Sequence, residues 1–414
     1  MNKQIYVIGD VMLDEYWSGT SSRLSPESPV PVVDDVKITK RLGGAGNVCK
    51  NLKVFTDECV LFSVVGLDEA GGDIAQLLAN NDISNDLALG KESQTIVKRR
   101  ILSNEQQLCR IDSGSLNDAP PSLGDTPDAI IVSDYGKGTI TKELIEELTH
   151  LELCNIFVDP KGSDWNKYYG CDIITPNLKE FEDAHGDFSY DRATEVIQEY
   201  EIGQGILVTL GANGMHWIGR DGSSIIRTPE SIEVRDVTGA GDTVIATFAL
   251  FFDHGIKEAM DYANRAAGNV VMKLGTAVPD KDAVVETVVF TNGCFDLIHS
   301  GHIALLQSAS AMGDRLIVGI NSDESMKRIK REPVNDMYER KSVLESIAGV
   351  DQVIIFDDDT PYDLIKDLQP DIIVKGGDYT KSNVVGADLA EVRIIGLVNG
   401  KSTTKTIEKV KKNV

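Results

Sequence analysis

Short runs of apolar, β-branched residues recur along the first half of the chain, and each ends in Asp, Gly or Asn. Stretches long enough to form helices separate these runs, for instance 141–150 and 190–201. Continuous apolar strands that alternate with helices are typical of a parallel sheet covered on both faces. The pattern therefore predicts an α/β fold with strands at 5–10, 129–134, 155–160, 172–177 and 205–211.

The strand and helix pattern restarts after a short polar segment at 275–286, so we expect two domains, at 1–283 and 284–414. The segment 28–38 alternates apolar and polar residues and contains prolines, which do not fit a central parallel strand. It predicts an edge hairpin or a flap over the first sheet. The strands of the second domain are expected at 288–293, 315–321, 352–356, 371–377 and 392–397.

Composition narrows the class of protein. With 414 residues, the chain is too long for one ordinary core. The 65 acidic residues outnumber the 41 basic ones, and a net charge of −24 repels nucleic-acid backbones and anionic membranes, so neither is expected as a partner. The six cysteines show no CxxC pair or disulfide spacing, and the first residues suggest a strand rather than a signal peptide. We therefore expect a cytoplasmic protein.

The first candidate site is the turn "DVTGAGDT" at 236–243, which leads into a strongly apolar helix. The small residues Gly239, Ala240 and Gly241 let backbone N–H groups at the helix N-terminus converge on an anion. Asp242 is placed to accept a proton from a hydroxyl that attacks a phosphoryl group. The alternative is that Asp242 only caps the helix and the glycines only form the turn.

Three further segments carry small or polar residues that we expect at the same edge of the sheet. Asp10 and Asp14 follow the first strand and suit sugar hydroxyls. Past another strand, Asn177 and Glu180 lie one helical turn apart, where they suit Mg²⁺ and phosphate oxygens. A second close-approach turn supplies Gly43, Gly44 and Asn47.

These segments resemble the ribokinase-type carbohydrate kinases, whose signature is a D-T-x-G-A-G-D turn, over residues 1 to about 280. The resemblance implies in-line transfer of the ATP γ-phosphoryl group, with Asp242 as the base and the preceding amides as an anion hole. It also implies that Glu180 lies at the metal. Further nucleotide contacts implied by the resemblance are Asn177, Leu178, Lys179, Thr209, Gly211 and Asn264.

The second candidate site is "TNGCFDLIHSGHI" at 291–303, where a strand turns into a helix. His299 and His302 are three residues apart, and two imidazole N–H donors can stabilise charge on a nucleotide α-phosphate under attack. Gly293 and Gly301 permit close approach of the nucleotide. A metal site is an alternative, although no third ligand has suitable spacing, and a pair of core histidines is another.

This motif resembles the H-x-G-H nucleotidyltransferases of the cytidylyltransferase type, over residues 285 to 414. The resemblance implies a catalytic role for Lys327 beside the two histidines. The implied nucleotide contacts are Asn292, Gly293, Phe295, Gly301, Asn321, Asp323, Arg340, Ser402, Thr403 and Thr404. The implied substrate contacts are Lys375, Gly376, Gly377 and Asp378.

The order of the two domains resembles the bifunctional heptose 7-phosphate kinase and heptose 1-phosphate adenylyltransferase enzymes. The segments that carry this resemblance are 22–33, 106–112, 133–138, 159–165, 273–276 and 373–379. It implies ATP and Mg²⁺ as cofactors, sugar phosphates as substrates and a homodimer formed through the flap. It also implies substrate contacts from Asp134, Arg110 and Lys161, the last two with the 7-phosphate.

Two departures from that family and two alternative functions stay open. The connection after 273–276 is shorter than in the family, and Arg331-Glu332-Pro333 stands where the family has R-P-V. One alternative is a kinase of another sugar with a degenerate transferase, which would consume ATP without forming a nucleotide sugar. The other is a non-catalytic nucleotide-binding protein, which would do neither.

Overall fold

The computed structural model describes residues 3–104, 106–150, 154–229, 234–273, 275–377 and 380–396. The chain divides into two compact units, Met1–Val284 and Val285–Val414. Each unit alternates strands with helices, which confirms the predicted α/β class.

The first unit contains the strands that form two of the sheets. They are β1 (Ile5–Gly9), β2 (Val11–Leu24), β3 (Pro31–Gly44), β4 (Cys59–Gly66), β5 (Ser84–Gly90), β6 (Gln94–Ser103), β7 (Gln106–Ser115), β8 (Ala129–Ser133), β9 (Asn155–Asp159), β10 (Ile173–Ile174), β11 (Gly205–Thr209), β12 (Met215–Gly219) and β13 (Ser224–Arg227).

The larger sheet has the order β13-β12-β11-β10-β9-β8-β1-β4-β5 among the described strands. Its strands from β5 to β11 are parallel, and the apolar runs of the predicted strands β1, β8, β9, β10 and β11 are buried. The last two strands at one side of the sheet, β12 and β13, are antiparallel additions to the predicted parallel sheet. The reason is the length of the connections, since a turn of a few residues can only return the chain antiparallel to the preceding strand.

The smaller sheet, called the flap sheet below, has the order β3-β2-β6-β7. The hairpin expected at 28–38 is confirmed, but it is much longer, because β2 pairs with β3 from Val11 opposite Gly44 to Leu24 opposite Pro31. Every residue of β7 is exposed or half-exposed. The exposed apolar side chains of this sheet are Leu24, Val36, Ile38, Leu108 and Ile111.

The helices of the first unit connect and cover these strands. The helix α6 is apolar on all sides because it is buried, and it packs against α1, α7, β8 and β9. The helices are α1 (Ala45–Lys53), α2 (Glu69–Asn80), α3 (Lys142–His150), α4 (Leu178–His185), α5 (Tyr190–Glu199), α6 (Ala240–Phe251), α7 (Ile256–Val271) and α8 (Lys281–Val284).

The second unit is a parallel sheet of the order β16-β15-β14-β17-β18 with helices between its strands. The chain builds outward from β14 in one direction and then returns to the other side, so the strand order reverses between β14 and β17. Ligands of open α/β sheets bind at such a switch point, outside the carboxyl ends of the strands. The elements are β14 (Val288–Gly293), α9 (Ser300–Ser310), β15 (Arg315–Asn321), α10 (Asp323–Ile329), α11 (Met337–Glu345), β16 (Gln352–Phe356), α12 (Tyr362–Leu368), β17 (Ile372–Gly376) and β18 (Glu391–Ile395).

Candidate active sites

A cavity of about 170 Å³ lies at the carboxyl ends of β8, β9 and β11, beside the start of α6. It brings together residues that are far apart in the sequence, as the parallel sheet predicts. The cavity is lined by Asp134, Tyr135, Asp159, Pro160, Lys161, Thr175, Asn177, Glu180, Thr209, Gly239, Gly241 and Asp242.

Asp242 lies in the first turn of α6, and its side chain is buried. Its Oδ2 accepts a hydrogen bond from Asn47 Nδ2 at 2.8 Å, and its Oδ1 accepts one from the Tyr135 hydroxyl at 2.8 Å. Burial raises the pKa of Asp242 to about 6, and these two hydrogen bonds oppose the increase. A carboxylate with this pKa can accept a proton near neutral pH.

The cap of α6 is Gly239, so the alternative that Asp242 only caps this helix is wrong. Gly239 has a φ of 81°, and a Cβ there would lie 2.7 Å from Asn47 Nδ2. Position 239 therefore needs glycine for two reasons. Its backbone has a positive φ, and a larger residue would collide with Asn47, which binds Asp242. Ala240 and Gly241 open the helix, and a Cβ on Gly241 would meet no other atom within 4 Å.

Asn177 and Glu180 form a capping box at the start of α4, which begins with Leu178 and Lys179. Asn177 Oδ1 accepts from the Glu180 backbone N–H at 2.9 Å, and Glu180 Oε2 accepts from the Asn177 N–H at 3.0 Å. The other Glu180 oxygen pairs with Lys161 Nζ at 2.6 Å. The pair thus has the capping role that such residues commonly have, while Glu180 still lines the cavity.

The acidic side chains of the cavity concentrate negative charge around Asp159. Burial, followed by the negative charges of Glu180 and Asp242, holds the pKa of Asp159 well above its usual range. Mg²⁺ is commonly held by one or two carboxylates together with waters and substrate phosphates. Within the described ranges no group of three or more His, Cys, Asp or Glu residues forms a complete metal site.

The residues expected at the sugar have well-defined partners. Asp10 is buried, and its carboxylate accepts from the backbone N–H groups of Tyr135, Lys137 and Thr139 at 2.9 to 3.1 Å. Asp14 was expected at the end of the first strand, but it lies within β2. The chain enters β2 directly after Asp10, so Asp14 faces Arg100 on β6, with 2.5 Å between Oδ1 and the guanidinium.

The turn expected at Gly43, Gly44 and Asn47 is the junction of β3 with α1. Gly44 has a φ of 57°, and a Cβ there would collide with the Asp10 carbonyl. Likewise, a Cβ on Gly43 would collide with the Asp14 carboxylate. Asn47 lies in the first turn of α1, and its side-chain amide donates a hydrogen bond to Asp242.

The cations predicted to bind the 7-phosphate are not brought together. Arg110 lies on the exposed strand β7 and pairs with Asp112 at 2.8 Å, whereas Lys161 lines the cavity beside Glu180. Asp134 is buried and accepts from the Tyr168 hydroxyl at 2.8 Å and from Lys167. Of the remaining nucleotide calls, Thr209 lines the cavity, Gly211 follows β11 in a short 3₁₀ turn, and Asn264 Nδ2 donates to the Arg227 carbonyl.

In the second unit, His299 caps α9, and its Nδ1 accepts from the His302 backbone N–H at 3.3 Å. The two rings stack, and the ring of His302 also contacts Phe295, whose φ is 46°. Burial, followed by the charges of His299 and Lys330, lowers the pKa of His302 to about 4. His302 is therefore a neutral imidazole near neutral pH. Both histidines are half-buried, so they are not core residues.

Lys375 lies at the switch point between β14 and β17. Its Nζ donates to Asn292 Oδ1 at 2.5 Å and to the Asn292 carbonyl at 3.0 Å. Burial lowers the pKa of Lys375 to about 8. Gly293 and Gly376 end these two strands, Gly377 follows directly, and Gly301 lies in the first turn of α9. The predicted residues Asp378, Ser402, Thr403 and Thr404 lie outside the described residues.

Arg340, predicted as a nucleotide contact, is buried, and its guanidinium has protein partners. It donates to the carbonyls of Cys294 and Asn321 at 2.8 Å and to Asp323 Oδ1 at 2.7 Å. The side chain of Asn321 in turn donates to Ser325 Oγ at 3.0 Å. These residues connect the ends of β14 and β15. Lys327 is half-exposed and pairs with Glu332 at 3.4 Å.

Comparison with known proteins agrees with the two units. Residues 2–283 match the pfkB family carbohydrate kinases, and residues 290–400 match the family described as Cytidylyltransferase-like. The Bifunctional protein HldE of Ectopseudomonas mendocina (strain ymp) is 38% identical over 98% of this chain and 97% of its own length. The HldE of Marinomonas sp. (strain MWYL1) is 40% identical over 99% of this chain and 98% of its own. This chain belongs to the HldE family.

Membership of the HldE family confirms the predicted pairing of a ribokinase-type kinase with a cytidylyltransferase-type domain. The alignment with the Marinomonas relative spans 463 positions, more than the 414 residues of this chain, so it contains gaps in this chain. Ribokinase from Arabidopsis thaliana complexed with ribose and ATP shares the fold over 69% of this chain and 98% of its own, with a TM-score of 0.56 and 19% identity. Ribokinase from Cryptococcus neoformans var. grubii serotype A in complex with ADP covers 68% of this chain and 99% of its own, with a TM-score of 0.54 and 18% identity.

Sequence reasoning did not single out three residues of these HldE-family sites: Tyr135, Asp159 and Asp296. Asp296 is buried within the histidine motif, and its Oδ1 accepts from the backbone N–H groups of Val334 and Asn335, both at 2.9 Å. Its Oδ2 pairs with Arg331 at 2.5 Å. The segment 331–335 is therefore fixed to the histidine motif by Asp296. The available signal in the sequence is that Tyr135, Asp159 and Asp296 all lie inside segments that carry the resemblance.

Proposed function

We propose that the chain is a bifunctional enzyme of ADP-heptose biosynthesis. Its first unit transfers the ATP γ-phosphoryl group to O1 of D-glycero-β-D-manno-heptose 7-phosphate. Its second unit transfers the adenylyl group of ATP to heptose 1-phosphate, giving ADP-heptose and pyrophosphate. The single observation that carries the proposal is that the Asp242 cavity and the histidine pair occur together in one member of the HldE family.

In the kinase step Asp242 takes the proton of the O1 hydroxyl. The O1 oxygen then bonds to the γ-phosphorus while the bond from that phosphorus to the β,γ-bridging oxygen breaks, and ADP leaves. The N–H groups at the start of α6 and the helix dipole stabilise the developing charge. Glu180 would hold Mg²⁺, which neutralises phosphate charge when bound. The cavity beside Asp242 supports this arrangement.

In the transfer step a phosphate oxygen of heptose 1-phosphate bonds to the α-phosphorus of ATP. The bond from that phosphorus to the α,β-bridging oxygen breaks, and pyrophosphate leaves. His299 and His302 donate hydrogen bonds to the phosphate oxygens that gain charge. Lys375 at the switch point and the half-exposed Lys327 supply positive charge for the phosphates.

We also propose a cytoplasmic homodimer that forms through the flap sheet. The six cysteines are free thiols, which suits a reducing compartment. The exposed apolar residues of the flap sheet provide a surface that a second copy could cover. Nucleic acid and membranes remain unexpected as partners on account of the acidic charge. In the described part of the chain, no helix is long and apolar enough to cross a membrane.

Product analysis by mass spectrometry tests the function. With ATP, Mg²⁺ and heptose 7-phosphate we expect heptose 1,7-bisphosphate, and adding a phosphatase that removes the 7-phosphate should give ADP-heptose. An enzyme that forms the bisphosphate but makes no ADP-heptose from supplied heptose 1-phosphate would favour the degenerate-transferase alternative. Phosphorylation of other sugars in preference to heptose 7-phosphate would refute the substrate assignment. Equal transfer from CTP or UTP would refute the adenylyl assignment.

A further inference from the structure

Tyr135 connects the base of the kinase site to the loop that follows β8. We infer that Tyr135 is a positioning residue for phosphoryl transfer, which orients the Asp242 carboxylate and stabilises its negative charge. This inference rests on the proposed function, because it concerns the reaction in which Asp242 accepts the proton of the sugar hydroxyl.

The position of the Tyr135 side chain is fixed from several directions. Its hydroxyl donates to Asp242 Oδ1 at 2.8 Å, and its backbone N–H donates to Asp10 Oδ2 at 2.9 Å. The ammonium of Lys98, on β6 of the flap sheet, lies 4.8 Å from the centre of its ring. The ring therefore lies between the Lys98 ammonium on the flap sheet and the Asp242 carboxylate in the first turn of α6. Such a constrained donor can hold one carboxylate oxygen in a single orientation.

Asp242 has its two oxygens held by different donors. Asn47 binds Oδ2 and Tyr135 binds Oδ1, so the plane of the carboxylate is set by residues from α1 and from the loop after β8. Each carboxylate oxygen can accept more than one hydrogen bond, so a lone pair is left for the sugar hydroxyl. Tyr135 acts on the proton transfer through Asp242 and does not itself accept the proton.

The charges around Asp242 make the Tyr135 hydrogen bond important. The charged groups that face it are Asp14 on β2, Lys98 on β6 and Asp159 at the end of β9. Burial and Asp14 favour the protonated form of Asp242, whereas Asn47, Tyr135 and Lys98 favour the ionised form that can act as a base. Burial and the negative charge of Asp242 raise the pKa of Tyr135 well above its usual range, so its hydroxyl keeps its proton and stays a donor near neutral pH.

The substitution Tyr135→Phe tests this inference, because it keeps the ring that contacts Lys98 and removes only the hydroxyl. Loss of a hydrogen bond to a charged group raises the pKa of Asp242, so the acidic limb of the kinase pH profile should move up by about one pH unit. At pH 6.5 the ionised fraction of Asp242 then falls about threefold, so we expect kcat to fall at least about threefold, while KM for the sugar changes less than about twofold. The matched control is Tyr190→Phe, which removes an exposed hydroxyl that donates to the Gly222 carbonyl at 3.1 Å.

A second variant keeps the inference testable if Tyr135→Phe does not fold, as judged by its melting curve. Tyr135→Leu also removes the hydroxyl and should move the acidic limb upward in the same way. An acidic limb and a kcat unchanged from the wild type in whichever of the two variants folds would overturn the inference. A wild-type protein that does not phosphorylate heptose 7-phosphate would instead refute the proposed function.

Discussion

The imidazole rings of His299 and His302 stack with their centres 3.8 Å apart and their planes 12° from parallel. His302 is neutral near pH 7, so the two rings can lie in contact without repulsion between two full charges. The pair is thereby ready to donate hydrogen bonds to one phosphate. This arrangement gives the first prediction its physical basis.

We predict that His299→Ala and His302→Ala each lower ADP-heptose formation by about 10²–10³, the usual loss for one preorganised donor to a developing oxyanion. The kinase step should keep its wild-type rate, because the histidines and Asp242 belong to different units. Separate assays of the two reactions measure this. If the pair were only structural, melting temperature would fall while turnover per folded molecule stayed at the wild-type value.

For the kinase site, Asp242→Asn should reduce sugar phosphorylation by about 10²–10⁴, the range for loss of a general base. Asn has nearly the same size as Asp, so a loss of activity in this variant cannot be attributed to a cavity left by a smaller side chain. Adenylyl transfer to supplied heptose 1-phosphate should stay unchanged and serves as the internal control. Near-normal kinase turnover in this variant would remove Asp242 from the role of base.

Asp296→Asn should loosen the segment 331–335 from the histidine motif. The amide cannot form the ion pair with Arg331, and a hydrogen bond to a charged group contributes about 1.5–3 kcal/mol. We expect a lower free energy of unfolding for the second unit and a higher KM for ATP in the transfer reaction. Asp359→Asn is the matched control, since it breaks an exposed pair with Arg328. Equal effects of the two substitutions would contradict the clamping role of Asp296.

The transfer reaction should lose rate as the pH rises through about 8, the value to which burial lowers the pKa of Lys375. The lysine is charged below this pH and neutral above it, so its attraction for phosphate is present at lower pH and lost at higher pH. Lys375→Arg keeps the charge at all these pH values and should remove the alkaline limb. An alkaline limb that persists at the same pH in Lys375→Arg would assign it to another group.

The sequence predicted best those features that are encoded locally. The central strands β1, β8, β9 and β11 were found because their apolar runs are continuous and buried. The strand β7 was missed because its residues are exposed and carry no such run. Strand pairing of this kind depends on distant residues, and no local pattern reports it.

The same distinction applies to the candidate sites. Asp242 and the two histidines lie in short motifs, so residue types and spacing were enough to select them. Tyr135 could not be selected, because its partner lies 107 residues away. The charge of Arg340 is visible in the sequence, whereas its burial and its four acceptors are not.

The strand β3 runs without a break into α1, whose first turn carries the amide that binds the base. The number of residues at the far end of the hairpin of β2 and β3 can change without moving the Asn47 amide. One residue inserted between Gly44 and Asn47 would instead rotate the amide by about 100° around the helix axis. We therefore expect homologous kinase domains to vary in the length of the hairpin tip more readily than in the length of this short junction.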